Sequence, residues 1–495
     1  MARTYPGAAA SSLSMRRACV VVLTLLLAGC STNPVTGRPE LVSMSPEEEQ
    51  TAGDEAHEAL LEDYATYADR ALQAYVNRVG QRLAAVSHRP ELTYRFTVLD
   101  SPEINAFALP GGYVYITQGL LAYLNSEAEL AGVLGHEIGH ITARHAARQQ
   151  TTELATQLGI GVFAILVPQA GLAGRQAAAI LGNALVLGYG RDQELEADGL
   201  GAEYLDRAGY DPKAMLSVLR VLDAQQALDE KLARAEGRPV RRYHGLFSTH
   251  PDNDTRLAEV VARPAPAAVT PQLLGRDSFL DAIEGLAFGE DPAGGVLEKN
   301  RLLHPALDLA IAFPKDWTVK NETRRVTATD PKGLAEIQLG VVDAKGLTDP
   351  QDVLRRLGVA EFVQATAFRI IGLPGVMGYS RLMLGGANFT VRLIVVLNGE
   401  EALIFIGMTA RDRDLKLRDA EFLAVVNQLR RLTAEEHVKV HTQRIRVRTL
   451  AQDTDWTSLA ADSPLRRLAV EQLRALNAGQ NDSDLRTGAR VKLID

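Results

Sequence analysis

Cysteine is nearly absent. The chain has two, Cys19 and Cys30, both near its start, which excludes a disulfide framework or a cysteine-ligated zinc site in the body of the protein. Long apolar runs are also missing: residues 18–28 fall short of the ~20 apolar residues that a spanning helix needs. No long basic run occurs, and 61 acidic residues outweigh 53 lysines and arginines for a net charge of -8, which argues against nucleic acid as a partner. What remains is ordinary globular material, 46% hydrophobic and 23% charged, and 495 residues at ~150 per domain predict about three domains.

Arg16 and Arg17 precede the apolar stretch, and Leu27-Ala28-Gly29-Cys30 ends it, the layout of a secretory signal with Met15 as an alternative start. The bland reading is a plain signal peptide with a chance cysteine. The ending resembles a bacterial lipobox, which implies acylation of Cys30 after removal of residues 1–29. Ser31 rather than Asp after that cysteine implies, by resemblance to Gram-negative lipoproteins, the outer-membrane lipid as the anchor. Residues 30–45 contain Asn33-Pro34-Val35-Thr36-Gly37 and no helical period, which predicts a tether.

Ser45 before Pro46-Glu47-Glu48-Glu49 predicts a capped helix with Pro at its first position. An amphipathic pattern continues to about residue 88. Tyr94, Phe96 and Val98 alternate like a strand, and Tyr113-Val114-Tyr115-Ile116 predicts a second. Ser126 with Glu129 forms a capping-box signature for a helix expected to run to about Gln150. Residues 151–190 are apolar and rich in Gly and Ala, and a packed helical pair outweighs a membrane hairpin because Pro168 and Arg175 interrupt them. A Pro-rich segment, 263–271, predicts a linker. Beyond about 300 the apolar period becomes two, with Asn398-Gly399 as a hairpin turn, and two helical stretches near 350–362 and 417–432 are expected to cover one face of the sheet. The last sixty or so residues read as strand, helix, helix, strand.

The chemistry concentrates in Gly135-His136-Glu137-Ile138-Gly139-His140. With ten histidines and 61 acidic residues in 495, chance supplies about 0.025 such His-acid-x-x-His patterns. On a helix, residues four apart differ by ~40° in azimuth, so His136 and His140 can offer imidazole nitrogens to one Zn²⁺, while Glu137, ~100° round, stands beside the metal as a base. Two ordinary helix histidines are the bland reading. A catalytic zinc needs a third protein ligand and a position left for solvent. Arg191-Asp192-Gln193-Glu194-Leu195-Glu196-Ala197-Asp198 offers Glu194 as ligand. Asp198, one turn on and on the same face, can hydrogen-bond a ligand histidine, while Glu196 points elsewhere. A solvated acidic helix face is the competing reading. His145 reads as a neighbouring helix residue.

The run from Asn105 through Gly112, then HEIGH, then Glu194-x-x-x-Asp198, then Ser248-Thr249-His250-Pro251 resembles the zinc metalloendopeptidase family that includes CAAX prenyl proteases, HtpX and the periplasmic BepA, over about residues 30–262. The "CSTNPVTGR" segment is similar to its periplasmic lipoprotein branch. The resemblance implies a mainly α, gluzincin-type domain with a small β-sheet, one zinc per chain and Glu194 as third ligand. It implies that His250 assists the oxyanion or gates the site. It also implies that Asn105, Ala106, Phe107, Ala108 and Leu109 form an exposed edge strand that pairs with an extended protein or peptide substrate. Gly190 departs from the Ser common there, and no tetratricopeptide repeat follows. Weaker likenesses link 300–433 to the PsbP or Mog-like α+β sandwich and 434–495 to a βααβ LysM module, which implies peptidoglycan as a partner.

The expected chain is multidomain: signal 1–29, tether 30–45, metalloprotease domain 46–262, linker with a short helix 263–299, sandwich 300–433, LysM-like module 434–495. The expected function is zinc-dependent endopeptidase of the periplasm, acting on misfolded or stalled outer-membrane proteins, with Glu137 activating water beside the metal. An envelope chaperone or peptidoglycan-associated scaffold with a gated or structural zinc is the alternative.

Overall fold

A computed structural model describes residues 30–42, 44–151, 189–236, 240, 273–289, 294–321, 325–359, 361–384, 387–439, 443–465 and 467–495. The signal, most of 151–190, the Pro-rich segment 263–271 and His250 lie outside the described residues. Among the described residues the chain forms two compact units. One takes residues up to 62, 66–286 and 445–495, and the other takes 63–65 and 287–444. No described helix is long and apolar enough to cross a membrane.

In the first unit the expected tether is a hairpin: β1 (Cys30–Thr32) pairs antiparallel with β2 (Pro39–Leu41). The Asn33 carboxamide oxygen accepts from Val35 and Thr36 N–H at 2.9 Å, and Gly37 turns at φ +68°, a conformation that glycine adopts without steric cost. Helix α1 (Pro46–Asp63) opens with a reciprocal cap: Ser45 Oγ accepts from Glu48 N–H and the Glu48 carboxylate accepts from Ser45 N–H. The amphipathic stretch then breaks, and α2 (Arg70–Ala84) starts on an Asp69 cap.

A three-stranded sheet follows, ordered β3 (Arg95–Leu99), β5 (Tyr113–Thr117), β4 (Ala106–Leu109), with β3 parallel and β4 antiparallel to the centre. Next come α3 (Gln118–Tyr123), α4 (Glu127–Thr142), α5 (Arg191–Arg207), α6 (Ala214–Glu236) and α7 (Arg276–Ala282). At the head of α4, Ser126 Oγ accepts from Glu129 N–H, while the Glu129 carboxylate accepts from Asn125 N–H instead of closing the box on Ser126.

The helix does not run to Gln150. It ends at Thr142, Arg144 takes φ +56°, and helical backbone resumes over 145–151. A non-glycine residue at positive φ is strained, and here charge holds it: Arg144 Nε donates to buried Glu49 at 2.6 Å, its Nη2 to the Met44 carbonyl at 2.6 Å, and its Nη1 to Ser31.

The second unit opens with the short strands β6 (Ala287–Phe288), β7 (Val296–Glu298), β8 (Arg301–His304) and β9 (Leu309–Ala312) and is built on a seven-stranded antiparallel sheet in the order β10 (Thr318–Asn321), β11 (Arg325–Thr329), β12 (Ala335–Asp343), β16 (Glu401–Thr409), β15 (Ala387–Asn398), β14 (Leu373–Leu384), β13 (Phe362–Ile370). Asn398 pairs with Glu401 across the Gly399 turn. The two helices do not share a face. Val353 and Leu354 of α8 (Pro350–Arg356) pack with Val391, Leu393, Val395 and Leu397. Phe422, Val425 and Val426 of α9 (Leu415–Asn427) pack with Ile394 and Val396. Alternate residues of β15 thus enter different cores, because side chains alternate across a strand and 393–397 is apolar throughout.

Residues 434–495 are expected as a module of their own, but 445–495 cluster with the first unit and 434–444 with the second. Their order is β17 (Gln443–Thr449), α11 (Trp456–Ala461), α12 (Ala469–Leu476), β18 (Arg490–Ile494), after α10 (Ala434–Lys439), with β17 antiparallel to β18. Buried Lys492 donates from Nζ to the carbonyls of Ala122 and Leu124 at 2.7 and 2.6 Å, just before α4. Burial pushes its ammonium well below the ordinary lysine range.

Candidate metal centre

Glycines determine how close the two metal-bearing helices come. On α4, Gly132, Gly135 and Gly139 follow spacings of three and four, one stripe of a helix. A methyl at Gly135 would lie 3.4 Å from Gly201 Cα on α5, and one at Gly139 would lie 3.0 Å from the Ala197 carbonyl oxygen. Gly201 in turn lies against the His136 backbone, where a methyl would meet the amide nitrogen at 3.1 Å. The helix backbones are therefore nearly in contact. Glu194, on the first turn of α5, is carried to the two histidines. That turn has no side-chain cap at Gly190. The Gln193 carboxamide accepts from Gly190 N–H at 3.1 Å instead.

His136, His140 and Glu194 are buried, and one donor atom from each falls within 4.8 Å of the others. The Nε2 atoms of His136 and His140 are 3.0 Å apart, and each lies 3.5 Å from a Glu194 carboxylate oxygen. A tetrahedral Zn²⁺ with bonds near 2.1 Å separates its ligands by about 3.4 Å, so the triangle has the right size. The proton inventory agrees. His136 Nδ1 is 2.9 Å from Asp198 Oδ1, and a carboxylate there places the ring proton on Nδ1. His140 Nδ1 is 2.8 Å from His145 Nδ1, whose Nε2 reaches Glu196 Oε2 at 3.2 Å. With His145 donating from Nε2 to Glu196, its Nδ1 accepts from His140 Nδ1–H. Both Nε2 atoms then aim lone pairs at each other and at a carboxylate, an arrangement that a divalent cation relieves.

His145 and Glu196 were not legible as site residues. The left-handed turn at Arg144 folds His145 back onto His140, and Arg148, at 2.9 Å from Glu196, completes the cluster. His145 and Arg148 hold the Glu196 carboxyl down at about 2, and burial pushes the His145 imidazole down toward its neutral form. Tyr189 stacks on His140 with ring centroids 4.2 Å apart. Burial, then the carboxylates of Glu137 and Glu194, push its phenol up.

Glu137 is buried on α4, next to His136. Of the expected substrate strand, Ala108 and Leu109 line a crevice with His140, Ile141 and Tyr189. β4 stands at the sheet edge but is not exposed: Asn105, Ala106, Phe107, Ala108 and Leu109 are all buried, because α4 packs on the strand.

Residues 70–263 match peptidase family M48. The chain is 31% identical over 233 residues to the beta-barrel assembly-enhancing protease of Yersinia pestis, covering 46% of each chain. Against the same-named protein of Escherichia coli (strain K12) it is 35% identical over 198 residues, 39% of this chain and 38% of that one. Against the mitochondrial metalloendopeptidase OMA1 of Schizosaccharomyces pombe it is 30% identical, covering 46% of this chain and 64% of that protein. The match thus spans less than half the length of these two bacterial relatives. Among solved structures, the PsbP of Synechocystis sp. PCC 6803 covers 26% of this chain and 88% of its own at 16% identity and a TM-score of 0.22.

Proposed function

We propose that this chain is a zinc endopeptidase of the bacterial cell envelope that hydrolyses extended segments of misfolded or stalled outer-membrane proteins. The observation that carries the reading is the buried triangle of His136, His140 and Glu194 with Glu137 next in sequence to a ligand. Bound Zn²⁺ supplies a Lewis acid that acidifies water and polarises a carbonyl. Glu137 takes the proton of the attacking water and returns it to the leaving amine. Asp198 holds the His136 ring in the tautomer that leaves Nε2 for the metal. Ala108 and Leu109 line the crevice beside His140, which supports, on this reading, an extended substrate that pairs there once the strand is uncovered. His250 would donate to the oxyanion or gate the site.

Glu137→Gln removes the base and keeps the ligands. Purified Glu137→Gln protein should retain one zinc per chain by elemental analysis and lose casein hydrolysis, and should trap envelope substrates identifiable by mass spectrometry. Full hydrolysis by this variant would refute the assignment.

The same reading places the chain in the periplasm, anchored to outer-membrane lipid through acylated Cys30. Cys30→Ala should move it to the soluble periplasmic fraction, and unchanged membrane retention would remove the anchor. Residues 300–433 as a PsbP or Mog-like sandwich and 434–495 as a LysM-like contact to peptidoglycan complete the proposal.

A further inference from the structure

The two ligand histidines are held differently. His136 is held by one carboxylate on α5. His140 is held by a longer chain that ends outside the metal-bearing helices: Nδ1 to His145 at 2.8 Å, His145 Nε2 to Glu196 at 3.2 Å, Glu196 to Arg148 Nη1 at 2.9 Å, and Arg148 Nε to Glu40 at 2.9 Å. Glu40 belongs to β2 of the N-terminal hairpin, paired with Ser31 of β1 and bonded at 2.8 Å by the Asn33 carboxamide. Ser31 also receives a hydrogen bond from Arg144, whose left-handed backbone is what turns His145 toward His140. The hairpin therefore meets both arginines that border the His145 turn.

We propose that Glu40, Arg148, Glu196 and His145 form a positioning relay that ties the N-terminal hairpin to the metal ligand His140, so that metal affinity depends on the hairpin being docked. The inference rests on the metal reading above. The relay needs no net charge transfer: His140 donates to His145, His145 donates to Glu196, and Arg148 donates to both carboxylates, so each group is satisfied in one protonation state. Arg148 is suited to the bridging position because its guanidinium offers Nε to one carboxylate and Nη1 to the other at once. A lysine carries its three donors on one nitrogen and cannot reach two carboxylates from two separate positions. The hairpin is also the segment that bears Cys30, so a pull on the anchor reaches the metal site through Glu40 and Ser31.

The test measures zinc dissociation constants of the full chain by chelator competition, with cobalt(II) absorption spectra as a second readout and unfolding of the metal-free protein as the control for folding. Wild-type protein that takes up no zinc would overturn the metal reading itself. Given uptake, His145→Ala should weaken zinc about 10- to 100-fold, the range for partners that orient a ligand, and Glu40→Gln and Arg148→Lys about 3- to 10-fold. All three should shift the cobalt bands in the same direction while metal-free unfolding of Glu40→Gln stays at the wild-type midpoint. The double variant Glu40→Gln with His145→Ala should bind zinc no more weakly than His145→Ala alone, because the link is already cut. Wild-type zinc affinity and cobalt spectrum in Glu40→Gln, or a double-variant loss equal to the product of the single losses, would overturn the relay and leave the metal site standing.

Discussion

Replacing Gly139 by Ala tests whether backbone proximity, and not ligand identity alone, makes the metal site. The added methyl would lie 3.0 Å from the Ala197 carbonyl oxygen, 3.1 Å from Ala197 Cα and 3.3 Å from Leu200 Cβ. Carbon atoms at rest sit about 3.5–4.0 Å apart, so α5 must withdraw by about half an ångström. Two of the three obstructing atoms are backbone and cannot rotate away. Stability will register little of this: overpacking costs about 1–3 kcal/mol, and the helix preference for Ala over Gly returns about 1 kcal/mol. The metal site tolerates less, since ligand distances are held to about ±0.2 Å. Zinc affinity is therefore expected to fall at least tenfold, about 1.4 kcal/mol, with unfolding of the metal-free protein shifted by no more than about 2 kcal/mol. Gly132→Ala is the control, because the tightest contact of its methyl is the Met215 sulfur at 3.3 Å, the end of an adaptable side chain. Chelator competition on both variants decides the matter. Wild-type zinc affinity in Gly139→Ala would show that the helices need not approach so closely.

Two further outcomes concern stability and pH. Lys492→Met fills the same space without a donor, so the carbonyls of Ala122 and Leu124 lose their partner at a cost of about 1–3 kcal/mol. Because burial depresses the Lys492 pKa, the unfolded chain binds more protons between that depressed value and the ordinary lysine range. Wild-type stability should therefore rise with pH through that window, and the variant should lack the rise; parallel urea-unfolding profiles at pH 7 and 10 would refute this. Glu436 is held down at about 2 by Arg430 and by the Thr433 amide. Its folded pKa lies below the unfolded value of 4.5, so its contribution is present above that value and lost as pH falls toward 2. After allowance for solvent screening the contribution is about 1–2 kcal/mol. Glu436→Gln should flatten acid unfolding of the second unit in that range, and an unchanged acid limb would count against it.

Much of the centre was legible because its logic is local. The His136–His140 and Glu194–Asp198 spacings depend only on the pitch of a helix, and Ser126 caps α4 through a residue three places on. What sequence reasoning missed depends on contacts between distant parts of the chain. The break at Arg144 has no glycine or proline to announce it; it exists because Glu49, 95 positions earlier, holds the guanidinium. Without that break His145 and Glu196 have no visible reason to meet. The hairpin at 30–41 looks like a tether in sequence because its strands are three residues each, too short for periodicity to register. The two faces covered by the helices of the second unit do not show in sequence, because an unbroken apolar strand gives no sign of which alternate residues meet which helix.

These distant contacts share a target. Lys492, from the last strand, is bound at the entrance of α4. Gly135 and Gly139 seat the middle of α4 on α5. Glu49, with Met44 and Ser31, fixes the exit through Arg144. A metal site of this kind requires three donors to stay within a few tenths of an ångström, yet a short helix held only by its own hydrogen bonds frays within its last turn. His140 stands two residues from the end of α4, where fraying would be felt first. The charged clamp and the relay through His145 are both placed at that end, which explains why the chain buries Glu49, Arg89 and Arg144 despite the desolvation this costs: the ion cluster holds the weaker end of the metal helix in one geometry.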